Sequence, residues 1–378
     1  MWLPRLLLAA ALLQFLLLAS PPLTWTLWLV HLAALETSFL GVLLALAAGF
    51  FTREVWLRRL GLLTALANAL PGLSAIPVFV AEAQPFSLYR WLGGEAPARP
   101  DPEQIELVPG LHADLYPAEG PAPHGYVVVV HGGSWQRGDK GDAPWVSHAL
   151  AAAGLVVVDV QYRLAPAFHF PAAIQDISCL LAAVQAQASA WGLDPERGAL
   201  LGRSAGGQIA LVSAYLPDST ILGGCVARPP RAVVSVYGPV DLAWAHGNPF
   251  VPDVVDGPAG LERYLGGTPA EQPEAYAAAN PLTWVERAAR PARRLPSTLL
   301  IHGMAERCVR PRNPEVLRDA LQAGGHEVET LFIPWADHGF DMRRGGLGEQ
   351  LARGRILEFL TRELGVTGEV SPGAPDTP

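Results

Sequence analysis

The sequence ALLGRSAGGQIALV, at residues 199–212 of this 378-residue chain, combines a strand, a turn and the start of a helix. Residues 199–201 form a short apolar run that is typical of a strand buried on both faces. Gly202 and Gly206 flank Ser204, and they lack the Cβ atoms that would clash in a sharp strand-to-helix turn. The stretch therefore predicts a turn that lifts the Ser204 hydroxyl out of the end of the strand.

Strand and helix alternate in the same way along the rest of the chain. Strands are predicted at residues 126–130, 155–160, 199–201, 232–236, 298–301 and 328–333. Helices are predicted at residues 143–153, 172–191, 206–215, 315–323 and 348–364. Such alternation predicts an α/β fold with a mostly parallel central sheet flanked by helices. Ligands of these sheets lie at the carboxyl ends of the strands, so the loops that follow the strands are the place to look for chemistry.

Three of those loops carry groups that a serine nucleophile needs. A serine hydroxyl of ordinary pKa requires a base, and His338 follows the last predicted strand. The base requires a carboxylate to hold its tautomer and stabilise its cation, and Glu306 follows the strand at 298–301. A negative oxygen formed during reaction requires N–H donors, which Gly132, Gly133 and Ala205 would supply. The order serine, acid, histidine along the chain is that of the α/β-hydrolases.

Several neighbouring residues leave alternatives open. Asp337 is adjacent to the predicted base, so its side chain is expected to point elsewhere, and Asp341 is a weaker competitor for the acid. Arg307 could pair with Glu306 and compromise its role. His131 and His302 also follow strands, but we interpret the first as a brace of its loop and the second as loop geometry.

Further motifs carry a resemblance to a known family. They are HGGSW at 131–135, GDK at 138–140, QYRLAP at 161–166, SAGG at 204–207, YLGG at 264–267, NPL at 280–282 and DHGF at 337–340. Over roughly residues 105–365 the chain resembles the α/β-hydrolase esterases related to hormone-sensitive lipase. It is most similar to the branch of acetyl-xylan and feruloyl esterases and prenylcysteine methylesterases. Two positions depart from that pattern: Gln161 replaces an acid, and Glu306 stands where the family usually has Asp.

The resemblance implies a serine carboxylesterase that works through an acyl-enzyme, without a metal or organic cofactor, on a small-molecule or lipid ester. An amidase, formamidase or peptidase of the same fold is the alternative, as is an inactive module that only binds a ligand. Trp135 and Phe340 are expected to bind substrate, with core packing as the alternative for both. The insertion at residues 238–279 is expected to act as a lid.

The amino-terminal residues 1–82 differ in character from the rest. Apolar runs lie at residues 6–19, 27–51 and 60–81, and the whole chain has a mean hydropathy of +0.24. About 20 apolar residues cross a bilayer as a helix, so the runs predict a bundle of about three transmembrane helices. The first run could instead be a signal peptide, and buried helices of a soluble protein are a further alternative. Glu36 is costly within a membrane run, and we interpret it as structurally paired or interfacial.

The positions of the arginines predict how this segment is oriented in the membrane. Arg5 precedes the first run, and Arg53, Arg58 and Arg59 lie between the second and third. Positive residues stay on the cytoplasmic side, which predicts a multi-pass cell-membrane protein whose catalytic domain is extracytoplasmic.

The net charge and the cysteine content of the chain limit which ligands, metal sites and disulfides it can have. A formal net charge of −8 without a basic cluster argues against nucleic-acid binding. Three cysteines without a CxxC pair argue against a structural zinc site and allow at most one disulfide. Residues 83–105 are predicted to be a linker, 106–365 the catalytic domain and 366–378 a disordered tail. The oligomeric state cannot be read from the sequence.

Overall fold

The computed structural model describes residues 2–20, 22–93, 101–216, 221, 223–288 and 293–366. Within these ranges the chain consists of an amino-terminal helical segment and a following α/β domain. Residues 94–100 of the predicted linker and 367–378 of the predicted tail lie outside the described residues.

An eight-stranded sheet forms the centre of the α/β domain. Its strands are β1 (Glu103–Val108), β2 (Leu111–Tyr116), β3 (His124–Val130), β4 (Leu155–Val160), β5 (Leu193–Arg203), β6 (Ala232–Val236), β7 (Ser297–Gly303) and β8 (Val328–Ile333). They are ordered β1-β2-β4-β3-β5-β6-β7-β8, and β3 to β8 pair in parallel. The predicted, mostly parallel sheet is therefore confirmed. The sequence patterns did not predict the antiparallel strands β1, at the edge of the sheet, and β2 beside it, and β1 begins inside the predicted linker.

Helices cover both faces of this sheet. They are α6 (Pro144–Ala152), α7 (Ala172–Ala186), α8 (Ala188–Trp191), α9 (Ala205–Tyr215), α10 (Leu242–Gly247), α11 (Gly257–Leu265), α12 (Pro273–Ala279), α13 (Pro281–Ala288), α14 (Arg312–Ala323) and α15 (Leu347–Glu363). Residues of α7, α9 and α14 share one buried apolar core with the sheet, and residues of α6 and α15 share the other. A disulfide joins Cys179 and Cys225, within the one bond that the cysteine count allows, and Cys308 is free.

Among the described residues, the amino-terminal segment contains four helices, which are α1 (Leu3–Ala19), α2 (Trp25–Glu36), α3 (Ser38–Phe50) and α4 (Val55–Ala81). A single helical turn, α5 (Leu88–Trp91), lies inside the predicted linker. Within the described ranges, only α4 is long and apolar enough to span a bilayer by itself. The second apolar run is not one straight helix, because the chain breaks at Thr37 and bends by 67° between α2 and α3. The predicted bundle of three spans is therefore not confirmed.

The amino-terminal segment packs against the α/β domain. Ala75 and Phe79 of α4 join the core that lies beneath α15. The Glu36 carboxylate accepts a hydrogen bond from the Leu347 N–H, 2.7 Å away, at the amino-terminal end of α15. A carboxylate is stabilised at that end of a helix dipole. Glu36 therefore has the structural pairing that its sequence position suggested.

Candidate active site

Ser204 lies on a tight turn between β5 and α9. Its backbone has φ 53° and ψ −122°, a strained conformation for a residue with a side chain. A Cβ at Gly202 would lie 2.0 Å from the Gly206 carbonyl oxygen, and one at Gly206 would lie 2.2 Å from the Val130 oxygen. Only glycine fits at either position, which is the physical reason for the pattern around Ser204.

Three predicted residues from three separate loops meet at this turn. The Ser204 Oγ lies 2.9 Å from the Nε2 of His338. The Nδ1 of the same ring lies 2.8 Å from the Oε1 of Glu306. Glu306 is fully covered, and its Oε1 also accepts hydrogen bonds from the Cys308 and Val309 N–H groups at 3.0 and 2.9 Å. The structure thus forms a continuous serine–histidine–glutamate line, and the catalytic roles of the three residues stay a prediction.

The electrostatics of the histidine–glutamate pair favour the charged state. Burial alone would lower the pKa of His338, but the facing Glu306 carboxylate, together with the charges of Asp337 and Asp341, outweighs burial and raises the pKa above its usual value. Burial alone would raise the pKa of Glu306, but the charge and hydrogen bond of His338 outweigh burial and lower it. A base that gains a proton from serine is stabilised by such a partner.

The competing carboxylates are occupied elsewhere. Asp337 Oδ1 accepts the N–H groups of Arg307 and His338, both at 2.8 Å, and its pKa is raised to about 6 by burial and by Glu306. Asp341 binds Arg203 at 2.8 Å and accepts the Tyr237 hydroxyl at 2.6 Å. Arg307 points to Asp337 rather than to Glu306, with 3.8 Å between the Arg307 Nη1 and the Asp337 Oδ2. The geometry therefore favours Glu306 as the acid.

The predicted oxyanion residues Gly132, Gly133 and Ala205 line the same cavity as Ser204. The loop that carries Gly132 and Gly133 is held by His131. The Nδ1 of His131 lies 2.7 Å from the Gly132 oxygen, and its ring stacks on Tyr162 with 4.2 Å between the ring centroids. This arrangement agrees with the bracing interpretation of His131.

A buried charge cluster, not anticipated from the sequence, supports the far end of the oxyanion loop. The Lys140 Nζ lies 2.9 Å from Asp114, and the Gly141 N–H donates to Asp159 at 3.1 Å. Burial raises the pKa of Asp159 to about 7. Lys140 is the only lysine of the chain, so its presence in the GDK motif was the signal available in the sequence.

The cavity above Ser204 has a volume of about 480 Å³. Trp135 lines it, donates its indole N–H to the Gln208 side chain at 2.8 Å and stacks on Tyr264. Phe340 is not among the described residues that line it, because its ring is buried in the core against Tyr237. This placement favours substrate contact for Trp135 and the core-packing alternative for Phe340.

Two further segments of the chain contribute side chains that line the cavity. The 238–279 insertion, predicted as a lid, contributes Trp244, Phe250 and Leu261. Helix α2 contributes Trp28, which sequence reasoning missed because it lies more than 100 residues before the first motif of the hydrolase domain.

One group of side chains among the described residues could hold a metal ion. Glu306, Cys308 and His338 each offer a ligand atom within 4.8 Å of the others. Two of these atoms already form the histidine–glutamate contact described above. The prediction that no metal or organic cofactor is needed stays a prediction.

The fold and this arrangement of side chains define a serine hydrolase of the α/β-hydrolase class. The BD-FAE family model matches residues 114–321, and the chain belongs to that family. Esterase LipC of Mycobacterium tuberculosis is 30% identical over 243 residues, which cover 60% of this chain and 55% of LipC. A probable isoprenylcysteine α-carbonyl methylesterase of Oryza sativa is 28% identical, over 61% of this chain and 54% of its own.

Solved structures agree with the fold. Thermogutta terrifontis esterase 2 phosphorylated by paraoxon matches with a TM-score of 0.55 and 22% identity, over 74% of this chain and 98% of that one. The matched residues of this chain span about half the length of the two curated relatives described above. The enzyme class that these comparisons support is a serine ester hydrolase.

Proposed function

We propose that this protein hydrolyses carboxylic esters through an acyl-enzyme on Ser204. The observation that carries the proposal is the hydrogen-bonded line from the Ser204 Oγ through His338 to Glu306, beside a glycine loop that can receive an oxyanion. Two relatives that match this chain are named esterase and carboxylesterase, which supports an ester over an amide substrate.

The reaction follows from the positions of these groups. Ser204 Oγ bonds to the ester carbonyl carbon while its proton moves to the Nε2 of His338. The N–H groups of Gly132, Gly133 and Ala205 receive the negative charge on the carbonyl oxygen. The bond to the alkoxy oxygen then breaks, and His338 returns the proton to the leaving alcohol. Water attacks the acyl carbon, gives its proton to the same nitrogen, and the acid leaves as Ser204 regains its proton.

Turnover of p-nitrophenyl acetate against p-nitroacetanilide tests this proposal. We expect the ester to be hydrolysed at least about 10³-fold faster, because p-nitrophenolate leaves without being protonated, whereas the anilide nitrogen must receive a proton before its bond breaks. A fluorophosphonate probe is expected to label the protein. A faster anilide reaction would favour the amidase alternative, and a folded protein that neither turns over nor labels would favour the ligand-binding module.

We also propose that the amino-terminal helices anchor the enzyme in a bilayer. Among the described residues, the exposed large apolar side chains all lie between residues 2 and 92 except Phe168, Val226, Val251 and Met342. Small residues fill the contacts between these helices, and a Cβ at Gly61 would lie 2.8 Å from the Ala45 oxygen. Helices that pack in lipid have this pattern, with large apolar residues on their outer surface and small residues where the helices contact one another.

The catalytic domain is proposed to lie on the extracytoplasmic side. The positive residues before and between the apolar runs support that orientation. The Cys179–Cys225 disulfide supports it as well, because disulfides persist in oxidising compartments. Protease added to intact cells is expected to degrade the domain, with a cytoplasmic marker protein as the control. A domain that stays intact until the cells are lysed would reverse the orientation.

A further inference from the structure

One face of helix α2 is built into the catalytic domain. Trp28, His31, Leu32 and Glu36 recur at the spacing of a single helix face. Three members of this face, Trp28, His31 and Glu36, are each at most 5% exposed. On the same helix, Leu27 and Val30 are 43% and 40% exposed. Helix α2 therefore has one apolar outer face and one inner face that is committed to the hydrolase domain.

The inner face contacts the two loops that carry the acid and the base. The Trp28 indole N–H donates to Asp337 Oδ2 at 3.2 Å. Asp337 in turn accepts the backbone N–H of His338 with its other oxygen. Three residues further along α2, the His31 Nε2 lies 3.1 Å from Arg307, which follows Glu306. Both loops of the histidine–glutamate pair are thus held partly from α2.

The Trp28 ring also faces the ester cavity. It lines the cavity together with Ser204 and lies 6.3 Å from the His338 ring, measured between ring centroids. Met342, which is 54% exposed, lines the cavity as well. Two apolar side chains thus line the cavity, Trp28 beside the base and Met342 at an exposed position.

We propose that Trp28 is a specificity-determining and positioning residue of the ester site. Its indole forms the wall along which the apolar chain of the ester lies, and its N–H holds the Asp337–His338 loop. The substrate class that fits is a lipophilic ester with an extended apolar chain. This inference rests on the ester hydrolysis proposed above.

Two variants separate the two roles. Trp28→Phe keeps an aromatic wall and removes the N–H donor, while Trp28→Ala removes both. The rates at which a short and a long alkyl fluorophosphonate label Ser204 are measured on the full-length chain in detergent. In Trp28→Phe we expect both rates to fall about tenfold, with their ratio near that of the native enzyme. In Trp28→Ala we expect the long-to-short ratio to fall a further tenfold or so.

Leu29→Ala is the matched control, because Leu29 belongs to the same helix and is 39% exposed. It is expected to keep both native rates. An unchanged ratio in Trp28→Ala would overturn the wall, and unchanged rates in Trp28→Phe would overturn the positioning role. Should Trp28→Ala fail to fold, the long-to-short ratio of labelling rates is measured in Trp28→Leu instead, which removes the aromatic ring but keeps an apolar side chain. A native enzyme that neither probe labels would overturn the proposed function itself, which distinguishes the two failures.

Discussion

Ser204→Ala is expected to reduce ester turnover by roughly 10⁴- to 10⁶-fold and to abolish fluorophosphonate labelling. The substitution removes the oxygen that would bond to the acyl carbon. A water molecule in its place would be positioned less well than the Ser204 hydroxyl, which lies 2.9 Å from the Nε2 of His338. The fold is expected to remain, since alanine still places a Cβ at a backbone φ of 53°, as the native serine does. Initial rates on p-nitrophenyl butyrate measure the loss of turnover, and the thermal unfolding curve of the same sample checks that the fold remains.

Ser134→Ala is a matched control within the same cavity. Ser134 also lines the cavity and has a φ of 52°, so the change in chemistry and in backbone strain is the same. Its turnover is expected to stay within about threefold of native, because its hydroxyl has no role in the proposed reaction. A Ser204→Ala enzyme with a tenth of native activity, or a loss of labelling in Ser134→Ala instead, would contradict the assignment of the nucleophile.

The parallel sheet was predictable because its strands have a simple signature. The runs at β4, β6 and β8 are rich in Val, Ile and Leu, and their predicted bounds agree with the structure. The antiparallel strands β1 and β2 carry Glu103, Glu106 and Asp114 among their apolar residues, so a search for continuous apolar runs passes over them. Strand β1 lies at the edge of the sheet with no buried residue, so it needs fewer apolar residues than a strand that is covered on both faces.

The site was predictable to the extent that it follows from the sheet. Ser204, Glu306 and His338 come after β5, β7 and β8, which belong to one run of parallel strands, and parallel strands bring the loops that follow them to one edge of the sheet. Trp28 reaches the cavity from helix α2 through tertiary packing, which no spacing in the sequence encodes. Hydropathy likewise located the apolar runs but not the break at Thr37, which turns the inner face of α2 toward the hydrolase.

Glu306→Gln is expected to lower kcat on the order of 10³- to 10⁴-fold while leaving the protein folded. Glutamine has nearly the same shape, and its carbonyl can still accept the Cys308 and Val309 N–H groups. It carries no negative charge, so it does not stabilise the His338 cation that forms when Ser204 gives up its proton. Asp337→Asn is the matched control, because this change also neutralises a carboxylate that the base contacts. It is expected to cost about tenfold or less, since Asp337 bonds to the backbone N–H of His338 and not to its ring.

The pH dependence of kcat/KM in Glu306→Gln distinguishes a catalytic acid from a merely structural one. His338 must be neutral to accept the serine proton, so native activity is expected to fall as the pH drops through the raised pKa of this histidine. Removing the carboxylate leaves burial, which lowers the pKa of His338, as the stronger influence. The acid limb of the residual activity should therefore move to lower pH in Glu306→Gln. An acid limb at the native position, with a larger loss in Asp337→Asn, would transfer the role to Asp337.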